Sequence, residues 1–202
     1  DLFAITWDPR EARLTGLNAS GRAPIAIAID KVPPASDGTI PLHSPYAWST
    51  PGAVEGWFAM HERYGRLPLK QVLAAAIRYA EEGVPLSPVI AGEWGVGAKL
   101  HGGKAGFAEV FMPGGRAPRD GELFRNRALA RTLRDVARLG REFTRRGRFA
   151  EAICVYSRAN GGFFDATDFE QNDPTWVEPV STDYRGVTVW ELPPNSQGIA
   201  AP

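Results

Sequence analysis

The sequence has one cysteine, no excess charge of either sign, no paired histidines and no long apolar run. Each absence removes a class of protein. Cys154 stands alone and cannot close an internal disulfide; within Ala152-Ile153-Cys154-Val155 it reads as a buried structural thiol. His43, His61 and His101 lie far apart, and no Cys-x-x-Cys or His-x-x-x-His spacing offers a zinc site, so no metal is expected. His61 falls on the apolar side of a helix and reads as structural. Lys plus Arg and Asp plus Glu both number 23, which leaves no basic field for a phosphate backbone; nucleic acid is not an expected partner. No apolar stretch approaches the ~20 residues that span a bilayer, so no membrane partner is expected either. Gly-x-Ser-x-Gly is missing, and Gly95-x-Gly97 and Gly102-Gly103 lack the strand–turn–helix setting of a dinucleotide loop. No cofactor is expected.

What is present is the composition of a globular protein, 44% hydrophobic and 23% charged over 202 residues. Leu2 to Trp7 reads as a core strand, paired through the turn-like Asp8 to Ala12 with a second strand from Arg13 to Asn18. Ser20 to Pro24 is a tight bend, and 31–51 a long loop rich in Pro, Ser and Gly. Helical spacing follows in Val54, Trp57, Phe58, His61 and Tyr64, closed by Gly65. A cleaner stripe runs from Leu69 to Ala80, with Pro68 before it and Gly83 after. Ser87-Pro88 opens a helix through Trp94 whose end Gly95 and Gly97 weaken, and 101–121 reads as a loop. Leu129, Leu133, Val136 and Ala137 mark a helix closed by Gly140. Another runs from about Phe149 to Asn160, with Ile153 and Tyr156 inward. The arginines from Arg125 to Arg148 read as a solvated face. Thr167 and Glu170 have capping-box spacing. Strands are expected at Val177–Thr182 and Val187–Leu192, joined through Asp183 to Gly186. No linker divides the chain, so 1–202 is expected to form one domain. A strand begins at once and an apolar run starts at Ile199, so that domain is expected to be incomplete.

Four phrases remain, in order: Gly16 to Pro24 (Gly-Leu-Asn-Ala-Ser-Gly-Arg-Ala-Pro), Thr50 to Trp57 continuing into His61 to Pro68, Ala80 to Ser87, and Trp176-Val177-Glu178-Pro179 with Asp183 to Gly186 and Pro193 to Gly198. Together they resemble the gamma-glutamyltransferase family over essentially the whole chain. That resemblance implies an α+β fold, the αββα four-layer sandwich of N-terminal-nucleophile hydrolases, of which 1–202 would be the middle part of the large subunit, mainly helices with some strands. It implies a precursor that cuts itself before a threonine. The freed Thr hydroxyl serves as nucleophile and its α-amine as base, in amide hydrolysis or acyl transfer on γ-glutamyl or related amides. No catalytic residue is then expected within 1–202, which alone should be inactive. The partners implied are a small-molecule amide and the small subunit of the same precursor.

In the family an Arg followed by Ala-Pro grips the α-carboxylate of the glutamyl group, and Arg22 with Ala23-Pro24 is the matching position. A guanidinium presents the planar fork that fits a carboxylate; the alternative is that Arg22 pins its own loop through an ion pair. Asn195, Ser196 and Gln197 either donate hydrogen bonds into the pocket or satisfy a Pro-rich loop. Two departures stand out. The glutathione-processing members carry Arg-Glu-x-Ala-Pro where Ala23 follows Arg22 directly, and Pro-Pro-Pro-Ser-Ser-Gly-Gly where this chain has Pro193-Pro194-Asn195-Ser196-Gln197-Gly198. Both resemble the branch that hydrolyses oxamate or glutaryl amides. A family member without catalysis, acting by binding, is the other reading; a cleavage-site Thr downstream separates the two. The lack of disulfides suits cytoplasm and bacterial periplasm alike.

Overall fold

The computed structural model describes residues 1–34 and 37–200. Part of the expected loop 31–51, at residues 35 and 36, therefore lies outside the described residues, as do 201 and 202. Strands β1 (Leu2–Asp8) and β2 (Arg13–Ala19) form the expected antiparallel hairpin, with Ile5 opposite Gly16. β1 is less of a core strand than its composition suggests: Phe3, Ile5 and Trp7 are all exposed among the described residues. Two 3-10 turns, Ile29–Lys31 and Pro45–Ala47, interrupt the long loop. Helix α1 (Ala53–Tyr64) buries Phe58 and Ala59, and the Gly65 N–H closes it onto the His61 carbonyl.

The next expected helix is broken in two, α2 (Leu69–Val72) and α3 (Ala74–Glu82), with Leu73 between them at ψ −7°. The two-residue strand β3 (Val84–Pro85) follows. Helix α4 (Pro88–His101) does not stop at Gly95 but runs through both glycines. Ser87 Oγ accepts the Ile90 N–H at its start, and the ~1 kcal/mol each glycine costs a helix is too little to end one so nucleated. The region read as loop contains α5 (Phe107–Phe111). Its Phe107 and Phe111 pack together, and Trp94 packs edge-on to Phe124 at 4.4 Å while donating Nε1–H to the Phe111 carbonyl. Those aromatic contacts stabilise a short helix inside a glycine-rich stretch. β4 (Leu123–Phe124) pairs with β3, and α6 (Arg127–Leu139) buries Ala130, Leu133 and Val136, one stripe at helical spacing.

Helix α7 (Arg141–Arg145) has no counterpart among the sequence expectations; α8 (Arg148–Ala159) does. Ile153 packs against the core as expected, but the rest of the inward stripe of α8 differs. Ala150, Cys154 and Ser157 are buried, while Tyr156 is 41% exposed. Small residues face inward because Phe164, Phe169 and Trp48 already supply the bulk of that cluster. Helix α9 (Ala166–Glu170) is capped by Asp165 and Asp168 rather than by Thr167 and Glu170, since Thr167 already lies within the first turn. The expected strand from Val177 is two: β5 (Thr175–Val177), which pairs with β2, and β6 (Val180–Tyr184), which pairs with β7 (Val187–Glu191). Pro179, without an N–H for a ladder, separates them. The β6–β7 turn places Arg185 at φ 51° and Gly186 at φ 79°, as a two-residue hairpin of this hand requires.

The chain divides into two compact units, 1–66 with 140–202, and 67–139. The first holds the sheet β1–β2–β5, α1 and α7–α9; the second centres on α3 against α6. Among the described residues no helix is long and apolar enough to cross a membrane, and no group of His, Cys, Asp and Glu is arranged to hold a metal ion.

Candidate functional site

Strand β2 carries the chain to the site. Leu17 is fully buried and Ala19 nearly so, which anchors the strand's end; 20–24 then leave the sheet. Gly21 turns at φ 77°, and a Cβ there would stand 1.7 Å from the Thr50 carbonyl oxygen. A Cβ on Gly52 would come within 2.3 Å of the Ala19 oxygen and 2.8 Å of the Gly21 nitrogen. Two stretches of backbone cross here in direct contact, which requires glycine on both. The Thr50 N–H, buried beneath, donates to the Arg22 carbonyl at 2.8 Å. Arg22 therefore has a fixed backbone and an exposed side chain.

Beside it lies a cleft of about 170 Å³ whose lining includes Asn18, Ser20, Arg22, Asn172, Asp173 and Asn195. Asn195 comes from the Pro-Pro loop after β7. Its Oδ1 accepts from Asn18 Nδ2 at 2.6 Å, and its Nδ2 donates to Ser20 Oγ at 2.9 Å. Of the four residues singled out in the sequence, the structure brings Arg22 and Asn195 to one cleft. Ser196 and Gln197 do not line it: Ser196 Oγ accepts the Gly198 N–H, and the Gln197 carbonyl accepts that of Ala200. Among the described residues Arg22 forms no ion pair.

Glu55, on the first turn of α1, also reaches the cleft wall but is only 2% exposed. Its Oε2 accepts from Arg141 and, at 2.9 Å, from Arg145; its Oε1 accepts the Thr144 hydroxyl at 2.8 Å. Arg141 reaches on to Glu62 through two hydrogen bonds, 2.9 and 3.1 Å, and Arg145 pairs with Asp173. Burial opposes the charge on both guanidiniums, and the carboxylates outweigh it, so both are held above the usual arginine range. These two arginines do not belong to a solvated face, as their neighbours in the sequence suggested; α7 turns them inward. Sequence reasoning missed this cluster because a lone Glu in an amphipathic pattern carries no sign that it is buried. Asn18 and Ser20 lay within a quoted phrase but were given no role; Asn172 and Asp173 gave no signal at all.

The gamma-glutamyltranspeptidase family model matches residues 1–202. The chain belongs to that family. It is 34% identical over 200 residues to the glutathione hydrolase-like YwrD proenzyme of Bacillus subtilis, covering 98% of this chain and 38% of the relative. It is 31% identical over 199 residues to the oxamate amidohydrolase proenzyme of Klebsiella pneumoniae, covering 96% and 37%. The cephalosporin acylase structure from Bacillus halodurans superposes with a TM-score of 0.84 at 38% identity, covering 96% of this chain and 37% of that one. This gamma-glutamyltranspeptidase-family chain thus spans a little over a third of the length of these relatives. It shares the α+β N-terminal-nucleophile hydrolase fold, of which these residues supply part.

Proposed function

We propose that the chain is the middle part of the large subunit of a self-processing amidohydrolase or acyltransferase, with a threonine nucleophile outside these 202 residues. In such an enzyme the Thr hydroxyl oxygen adds to the amide carbonyl carbon, and its proton passes by way of the threonine's own α-amine to the departing nitrogen. The C–N bond breaks and an acyl ester remains, to be opened by water or by an acceptor amine. The small subunit of the same precursor supplies that threonine. That several relatives are proenzymes supports this arrangement.

Within this chain, Arg22 is proposed to grip a carboxylate of the acyl group. The observation that carries the reading is that Arg22 lines a polar cleft from a backbone clamped at Gly21 and Thr50, with a guanidinium that forms no ion pair among the described residues. Asn195 is proposed to contribute to the cleft wall through its bonds to Asn18 and Ser20, with Ser196 and Gln197 acting through the loop that carries it. The acyl group favoured is one without an α-amine. An ammonium needs an acceptor; of the two carboxylates lining the cleft, Glu55 is buried against two arginines, and Asp173 already shares its charge with Arg145.

Matched glutaryl and γ-glutamyl anilides test both points in the full-length enzyme. The glutaryl anilide is expected to be cleaved at least as well, and a γ-glutamyl preference beyond about ten-fold in kcat/KM, some 1.4 kcal/mol, would overturn the substrate class. Arg22→Lys keeps the charge and loses the fork, at about 1.5–3 kcal/mol, or roughly ten- to hundred-fold in kcat/KM, with self-cleavage spared. Unchanged kinetics would remove Arg22 from the site.

A further inference from the structure

Asp168 is a buried carboxylate, 5% exposed, on the first turn of α9. Among the described residues it pairs with no cation. Its two oxygens serve two segments of chain. Oδ2 accepts the Asp165 N–H at 2.8 Å, half of the capping box of α9. Oδ1 accepts the Ile25 N–H at 2.7 Å, three residues beyond Arg22. A capping box needs only the first of these. A charged group kept out of water is stabilised by charge-assisted bonds of this kind, and its length and burial make the bond to Ile25 a strong one.

The Arg22 loop is thus held at both ends. Upstream, the Arg22 carbonyl takes the Thr50 N–H beside the Gly21 crossing; downstream, Ile25 is tied to Asp168, and Pro24 between them is buried. The segment just after α9 reinforces the same point, since Asn172 Nδ2 donates to the Pro51 carbonyl at 3.3 Å, next to Thr50. We infer that Asp168 is a positioning residue for Arg22: by fixing the Ile25 N–H it sets where the guanidinium fork stands against the carboxylate of the substrate. This rests on the carboxylate-binding reading of Arg22 above.

Two substitutions separate the loop from the helix. In Asp168→Asn the amide keeps one acceptor and turns an NH₂ toward the other N–H donor, so one of the two bonds is replaced by opposed donors. Ile25→Pro deletes the loop's own N–H and leaves the cap of α9 intact. Ile25 follows Pro24 in a turn closed by the Ile27 N–H on the Pro24 carbonyl, the second position of the turn, which proline suits. Both are made in the full-length, self-cleaved enzyme and assayed on glutaryl anilide and on valeryl anilide, which has the same chain length and no carboxylate, with Arg22→Lys alongside. Each is expected to raise KM for the glutaryl substrate by about ten-fold, with kcat changed far less and the valeryl substrate within about two-fold. Added to Arg22→Lys, neither should lower glutaryl kcat/KM much further, because the fork is already lost. If Arg22→Lys selects between the substrates but Ile25→Pro weakens both equally or neither, this inference fails alone. If Arg22→Lys does not select, the carboxylate reading fails and the inference with it.

Discussion

Replacing Glu55 with Gln keeps the shape of a buried side chain and removes its charge. Glu55 receives donors from Arg141, Arg145 and Thr144. The Gln amide has one accepting oxygen and brings its NH₂ against guanidinium groups that donate only. Removing one partner of a buried charge pair costs about 3–5 kcal/mol. Here the two arginines keep Glu62 and Asp173, and their side chains are 24% and 21% exposed, so the low end of that range, about 3 kcal/mol, applies. Domains of 150–250 residues lose about 2–4 °C in Tm per kcal/mol, and a chain the length of the relatives roughly half as much, giving a fall of about 3–6 °C. The assay is thermal unfolding of the full-length protein followed by near-UV circular dichroism. Glu62→Gln is the control: that side chain is 63% exposed, and its pair is worth no more than about 1 kcal/mol. Equal shifts for the two variants, or a Glu55→Gln shift under about 1 °C, would refute the account of Glu55 as the buried centre of the cluster.

Two further outcomes concern the rest of the chain. Burial pushes the Cys154 thiol up, so a disulfide reagent at pH 8 should leave it untouched in the native protein and titrate one thiol after unfolding in urea; rapid native labelling would contradict its placement against Phe164 and Phe169. Glu122, hydrogen-bonded first by the Arg116 side chain and then by the Arg119 N–H, is lowered from 4.5 to about 2. A lowered carboxylate adds stability that is present above about pH 4.5 and lost as pH falls toward 2, and a carboxyl NMR titration with its midpoint near 4.5 would show the bond to Arg116 is not formed in solution.

The hairpin β1–β2, the helices α1, α6 and α8, and the β6–β7 turn were legible because each is specified locally, by period, by a closing glycine or by turn chemistry. One error was local: Gly95 and Gly97 weaken the end of a helix, yet α4, capped by Ser87, runs on through them. The others arose where distant residues decide. Phe107 and Phe111 form a helix because Trp94 and Phe124 pack nearby. Tyr156 lies outward because the cluster around Cys154 is filled by rings from elsewhere. For the site, the family phrases pointed to Arg22 and Asn195, which share a cleft. Nothing in a linear sequence marks Glu55 or Asp168 as buried, since both are charged residues on helices and their partners lie 86 and 143 residues away.

The crossing of Gly21 and Gly52 bears on how tightly an anion can be held at Arg22. A binding residue on a free loop must order its backbone on capture, at about 1–2 kcal/mol for each residue fixed. Here that ordering is done during folding. On the proposed reading Arg22 gives up only side-chain rotamers, about 2 kcal/mol of entropy at most, so nearly all of the fork's attraction appears as affinity. Preorganisation of this kind makes the two glycines, which offer the cleft no side chain, determinants of the strength of binding.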